Sequence, residues 1–397
     1  MVQRSKPTGR SRGRPRKNPI PKETLPFDIA HPVDVAPTIV EPQTPRAAPI
    51  ILRHLAPAKV TAVYESYWRF AAERQAVFLR RARGLDGPWS INPVLGEYKF
   101  TNAYRASDRV SQYLIRHVIY RDDLPSEPCE VFFRILLFKL FNKIETWELL
   151  EQTVGPITAA DYRFARYDEV LSRAMRDGRR IYSAAYIMPP GSGAFGMKAK
   201  HQNHLLLLER MMADDLPNKL TGARSMQQAF ELLRAYPTIG DFLAYQFVTD
   251  VNYSDITSFS EMDFVVPGPG ARDGLKKCFA DPGGLNEPEL IRLMTDLQER
   301  EFERLGLVFE GLWGRRLQLI DCQNLFCEVD KYARVAHPEI IGLTGRVRIK
   351  QKFQPKSEPL DLFYPPKWGI NDQIRQEFSN KSTPLPTDLL GSRHSRS

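Results

Sequence analysis

Apolar residues recur at helical spacing along most of the chain. Between Ala58 and Arg83, residues Val60, Val63, Tyr64, Tyr67, Trp68, Phe70, Ala71, Val77 and Phe78 line one face, and charged residues fill much of the other. That pattern predicts an amphipathic helix. The stretch from Phe132 to Leu150 is apolar nearly all round, with Arg134, Lys139 and Asn142 as polar interruptions. It predicts one central core helix. Further helical periods run from Ala159 to Asp177 and, as one or two helices, from Glu287 to Leu319. Strand signals are short, and Gly345 to Phe353 is the best of them. No repeat at solenoid spacing is evident. The expected fold class is mostly α.

The most informative stretch runs from Leu232 to Phe279. Ala229, Phe230, Leu232 and Leu233 form the apolar face of one helix, and Phe242, Leu243, Tyr245, Gln246 and Phe247 begin the next. Tyr236-Pro237-Thr238-Ile239-Gly240 is a tight turn between them. Pro237 cannot continue the first helix, and Gly240 permits a bend that a Cβ would hinder. Such a turn aims backbone N–H groups outward, here those of Thr238, Ile239 and Gly240, where they suit a phosphate. The bland alternative is an ordinary helix–helix connection. Next comes a Gly/Pro-rich loop with Gly268 and Gly270, followed by Arg272, Lys276 and Lys277 at the start of a helix. Glycines let a backbone approach a phosphate closely, and the cations add charge. The same residues also describe a rigid loop before a solvated helix. The spacing is not that of a Walker A loop.

Charge sharpens the organisation. The formal net charge is +9, and the first 17 residues supply seven positive charges with no acid. The basic character is therefore a tail plus local patches rather than a cationic body. Residues 1–54 are expected to be a disordered basic tail with a proline-rich linker, because they hold too little apolar surface to offset the entropy of ordering. Within the tail, Arg12-Gly13-Arg14-Pro15-Arg16-Lys17 resembles an AT-hook. Arg12 and Arg14 flank a glycine that removes bulk, which suits the negative potential of a narrow minor groove. Residues 55–340 would form a helical catalytic domain and 341–397 a partly disordered extension. The four cysteines include no C-x-x-C pair, so neither a disulfide framework nor a structural zinc is expected. There is no run of about 18 apolar residues, and the protein is expected in the cytoplasm, away from membranes.

Other polar groups leave alternatives open. Asn102 is positioned as an N-cap, and Arg105, Asp108, Arg109 and Gln112 would share one helix face. That face suits an anion or an intrahelical salt bridge. Pro189 to Gly196 reads as a flexible loop, a lid or a DNA-contacting turn. His201 and His204 are three apart, but solvated or phosphate-facing roles fit them better than metal ligation, and no metal or cofactor is expected. The segment Leu319–Val335 mixes Asp321, Gln323, Asn324, Glu328, Asp330 and Lys331 among apolar residues, as a site or a buried polar network would.

The turn at Tyr236–Gly240 resembles the helix-hairpin-helix of DNA glycosylases, with Thr238 standing where that family has a glycine. In those enzymes an aspartate lies roughly two dozen residues beyond the hairpin proline, at the base pocket. The matching segment is Ser260-Glu261-Met262-Asp263-Phe264, so the resemblance carries the role to Asp263, with Glu261 second. Four blocks extend the likeness. They are Tyr104-Arg105 with Asp108–Tyr113, Gly240 through Asp250–Ser254, Asp263–Ala271, and Cys327–Tyr332. Together they resemble the helical domain of phage 5-hydroxymethyluracil DNA kinases and the amino acid:DNA transferases of thymidine hypermodification. The missing Walker A motif favours the transferases. The resemblance implies a DNA-glycosylase-like helical fold and transfer of an amino acid or amine onto pyrophosphorylated 5-hydroxymethyluracil. Its partners would be double-stranded DNA with a modified pyrimidine, a free amino acid or polyamine, and a hydroxymethyluracil DNA kinase acting earlier. Asp263 would be the base, with Asp330 behind it, or would support a cation-like methylene electrostatically, while Arg272, Lys276, Lys277 and the Gly268 and Gly270 backbone meet the leaving pyrophosphate. A glycosylase acting on a modified base and a non-catalytic DNA-binding subunit are the alternatives.

Overall fold

The computed structural model describes residues 55–355 and 360–379. These residues are mostly helical and fall within one unit, His54–Ser397. The helices in chain order are α1 (Ala62–Ala82), α2 (Pro93–Glu97), α3 (Arg109–Leu114), α4 (Pro128–Phe141) and α5 (Ile144–Val154). Then follow α6 (Phe164–Arg176), α7 (Ser192–Phe195), α8 (Lys200–Ala213), α9 (Leu216–Thr221) and α10 (Met226–Arg234). The last five are α11 (Asp241–Val251), α12 (Pro269–Cys278), α13 (Glu287–Arg304), α14 (Leu319–Ala336) and α15 (Asn371–Ser379). A two-stranded antiparallel ladder pairs β1 (Lys59–Val60) with β2 (Phe279–Asp281). None of the described helices is long and apolar enough to cross a membrane. The basic tail, with Arg12 and Arg14, lies outside the described residues.

Local chemistry explains where the helices begin and end. The Thr61 hydroxyl caps α1 by accepting from the Val63 amide at 3.1 Å. Ser225 caps α10 in the same way, and Asn286 with Glu289 closes a capping box on α13. The single core helix expected from Phe132 to Leu150 is instead two, α4 and α5. Asn142 takes a left-handed conformation with φ 49° and stops α4. Asparagine tolerates that region better than most residues, and its side-chain oxygen accepts from Lys139 Nζ at 2.7 Å. The expected N-cap at Asn102 is also corrected. Its amide donates to Asp108 Oδ1 at 2.8 Å, a 3₁₀ turn spans Arg105–Ser107, and α3 starts only at Arg109. Arg105 and Arg109 therefore do not share a helix face. The stretch Gly345–Phe353 forms no named strand and makes one isolated bridge, Tyr98 to Lys352.

The core centres on α14, whose flank against α12 is unusually close. A Cβ at Gly274 would collide with the Phe326 carbonyl oxygen, and one at Gly270 would lie 3.2 Å from Cys327 Sγ. On α1, Tyr67 and Trp68 meet edge to face at 4.9 Å, and Trp68 meets Phe302 at 5.2 Å. Helices α10 and α11 pack as a pair across the tight turn, where Thr238 holds φ 70°. The C-terminal segment joins the same core. Tyr364 is fully buried, its hydroxyl lies 2.8 Å from Ser107 Oγ, and Ile370 and Ile374 are buried beside it.

Substituting Gly274→Ala must push α12 off α14, which predicts a stability loss of about 3 kcal/mol from overpacking. Gly96→Ala, with open space around it, should change stability by less than about 0.5 kcal/mol. Urea unfolding followed by circular dichroism compares the two.

Candidate functional site

Helix α11 and the turn after it carry Gln246, Asp250 and Tyr253 inward at helical spacing. Asp250 is fully buried and holds two cations. Arg105 Nη1 lies 2.9 Å from its Oδ1, and Lys139 Nζ from α4 lies 3.1 Å from its Oδ2. These are ion pairs off the directions that hydrogen bonds favour. Arg105 also donates from Nε to Gln246 Oε1 at 3.0 Å and from Nη1 to the Tyr253 hydroxyl at 3.0 Å. Burial works against the Arg105 charge, but Asp250 and the neighbouring phenols outweigh it and hold the guanidinium charged. For Lys139 burial prevails over the pull of Asp250 and lowers its pKa to about 8. Gln246 continues the polar chain to Gln323, whose amide nitrogen lies 3.2 Å from Cys327 Sγ.

Tyr186 lies over this cluster. Its ring centroid is 4.7 Å from Lys139 Nζ and 5.7 Å from the Phe242 ring, with 12° between the two ring planes. Its backbone sits at φ 54°, a strained value for an aromatic residue. The Pro/Gly loop that follows is tied to α8. Asn203 Nδ2 donates to the Pro190 and Met197 carbonyls at 3.0 Å each, and His204 Nε2 meets the Pro189 carbonyl at 2.8 Å. His201 and His204 are thus buried structural groups rather than solvated ones. Burial lowers His204 to about 4 and keeps it neutral.

A second buried cluster adjoins the first through the same arginine. The Arg105 amide donates to Asp321 Oδ1 at 2.8 Å, and the Gln318 amide donates to Asp321 Oδ2 at 3.0 Å. Burial, then the nearby Glu261 charge, raises Asp321 to about 7. Glu261 pairs with Arg315 at 3.0 Å, and burial raises its pKa despite that partner. Arg315 in turn lies 3.9 Å over the Trp368 ring.

The expected site residues fall into three groups. Arg105 and Glu261 belong to the buried clusters. Asp263 is exposed, and its carboxylate makes no hydrogen bond or ion pair among the described residues; Arg292 holds only its carbonyl. The carboxylate that turns inward from this segment is Glu261. Lys277 is corrected from a phosphate ligand to a buried strut, because its Nζ lies 2.9 Å from Asp330 Oδ1. Asp330 is spoken for by Lys277 and Arg334 and lies away from solvent. Gly268 and Gly270 serve close packing against Phe242 and Cys327 rather than an open cradle. The third group is at the surface. Arg272 pairs with Glu287 at 3.1 Å, Arg109 with Glu145 at 3.6 Å, and Lys276 is exposed. Gly240 is exposed at the turn, Thr238 is half-buried and Ile239 is buried.

Asp250, Gln246, Lys139, Tyr186 and Arg315 were not singled out from the sequence as site residues. The available signal was a lysine inside a helix apolar on every side, since a buried ammonium requires a carboxylate. The family model for the helical domain of 5-hmdU DNA kinase matches residues 61–342. The chain belongs to this family. A curated relative, the 5-hmdU DNA kinase of Bacillus phage SP10, is 25% identical over 287 residues, which cover 68% of this chain and 45% of the relative. The chain thus spans less than half of that relative's length. No solved structure matches the chain. Both buried clusters lie within the family match except for Trp368, which the C-terminal segment adds.

Asp250→Asn leaves Arg105 and Lys139 buried without their counter-charge. The expected loss is about 3–5 kcal/mol in urea unfolding; a loss under about 1 kcal/mol would mean that the cations find water. Stability should also depend on pH through Asp321, which titrates near 7 when folded and near 3.9 when unfolded. Between these values the folded chain binds the extra proton, so the contribution is full at acid pH and is lost as pH rises towards 7. Asp321→Asn should flatten that decline in the urea midpoint, even though it removes an acceptor.

Proposed function

We propose that the protein takes part in thymine hypermodification of phage DNA, acting on a 5-hydroxymethyluracil-derived base. The family match over residues 61–342 carries this reading. The finer assignment is transfer of an amino acid or amine onto pyrophosphorylated 5-hydroxymethyluracil, after a hydroxymethyluracil DNA kinase has acted. In that reaction the amine nitrogen bonds to the 5-methylene carbon, the carbon–oxygen bond to pyrophosphate breaks, and the amine proton passes to a base. The base must be everted to be reached.

The buried clusters have chemistry suited to this step. Arg105 and Lys139 face one carboxylate, Asp250, so one positive charge is left to meet charge developing on a leaving pyrophosphate. Glu261 is a carboxylate whose burial raises its proton affinity, as a base acting near neutral pH requires. The hairpin backbone at Thr238, Ile239 and Gly240, with Lys276, Arg272 and Arg109 at the surface and Arg12 and Arg14 in the tail, would grip the phosphate backbone.

The test is incubation with DNA carrying pyrophosphorylated 5-hydroxymethyluracil and a panel of amino acids and polyamines, followed by nucleoside mass spectrometry. The expected product is an aminomethyl adduct with release of pyrophosphate. Abasic sites would indicate a glycosylase, and binding without product a DNA-binding subunit. Glu261→Gln should lower turnover by about 10²-fold or more, whereas Asp263→Asn should stay within a few-fold of wild type. The reverse ranking would remove Glu261 from the reaction.

A further inference from the structure

We propose that the slot filled by the Tyr186 ring, against the Phe242 ring and the Lys139 ammonium, is the binding subsite for an everted pyrimidine, which displaces Tyr186 on entry. The inference rests on the functional reading above and adds to it the place where the base stacks.

Three observations carry it. The first is the chemistry of the slot. A near-parallel aromatic face at 5.7 Å and an ammonium 4.7 Å from the ring centroid suit any flat π-system, and Arg105 and Lys139 can donate to the carbonyl oxygens at a pyrimidine edge. The second is strain. Tyr186 is an aromatic residue at φ 54°, and such conformations concentrate at active sites, ligand clamps and switch regions. The third is that, apart from the Tyr186 side chain, whose phenol lies against the Arg105 guanidinium, little holds the segment down. Its upstream anchor is the Ser183 amide on the Phe141 carbonyl at 3.0 Å, and its downstream anchor is the buried Met188. Between them Ala184 and Ala185 are exposed and Ile187 is 74% exposed, so moving the segment sacrifices little burial beyond the Tyr186 ring itself. The loop after it, by contrast, is tied to α8 through Asn203 and His204. Displacement is therefore confined to a few residues and uncovers both cations that Asp250 holds.

The experiment uses the full chain and a duplex with pyrophosphorylated 5-hydroxymethyluracil beside 2-aminopurine, whose fluorescence rises when its neighbour leaves the stack. Wild type should raise the signal. Tyr186→Ala removes the competitor and should raise the signal further, with several-fold tighter binding of the same oligonucleotide as a single strand. Phe242→Ala removes the stacking face and should lower both. Tyr186→Ala that melts normally yet everts the base no better than wild type overturns the subsite while leaving the functional reading intact, provided that wild type everts and modifies the base. If wild type neither binds nor everts the base, the functional reading fails and the subsite fails with it. A second measurement needs no variant. Photocrosslinking the unaltered chain to DNA with 5-iodouracil at the target position should place adducts on Phe242 or Tyr186, and adducts confined to other residues would overturn the proposal.

Discussion

The buried Asp250 carboxylate is the constraint on which the centre of the molecule depends. Charged groups are excluded from a protein interior unless they are paired. Here one carboxylate on α11 must satisfy an arginine from a 3₁₀ turn and a lysine from α4, elements far apart in sequence. None of the three side chains tolerates burial without the others. The hairpin helix, the core helix and the turn before α3 are therefore fixed relative to one another by charge as well as by apolar packing. Arg105 extends the constraint, because its side chain serves Asp250 while its amide serves Asp321 at the start of α14.

Close backbone approach supplies the second constraint. Gly274 allows α12 to rest on the α14 backbone, and the Lys277–Asp330 pair locks that contact from within. Residues expected to bind phosphate thus position the segment before them. That segment turns Glu261 inward to Arg315 and leaves Asp263 at the surface. Residues two apart in an extended run point the same way, so these opposite fates need an irregular backbone. The turn closed by the Asp263 amide on the Ser260 carbonyl at 3.3 Å provides it.

The helical class was legible in the sequence because amphipathic spacing is a local signal. The turn between α10 and α11 was legible for the same reason: proline and glycine punctuate it within five residues. The break at Asn142 was not, since a left-handed asparagine inside an apolar run leaves the periodicity almost intact. The site was half legible. Arg105 came from an expected polar helix face as well as from family likeness and Glu261 from likeness alone, but likeness gives positions and not orientations, and so it ranked the exposed Asp263 first. The Asp250 pairings depend on contacts spanning more than a hundred residues, which no local spacing encodes. Glycine was the most misleading residue, because close approach to a phosphate and close approach to another helix demand the same missing Cβ.

Two buried cations on one carboxylate also explain why the cover over them is an aromatic ring. An aliphatic cover would shield the ammonium from water and offer nothing in return, whereas the face of a ring attracts it. The shielding matters electrostatically, because the interaction between a cation and an incoming anion strengthens as water leaves. A cover that binds the lysine weakly and sits in a strained backbone satisfies both demands. It keeps the cluster dry when closed, and its own conformational cost lowers the work of opening. The same physics that lets the protein bury an excess positive charge thereby makes that charge accessible to a flat, electron-rich ring that can take the place of Tyr186.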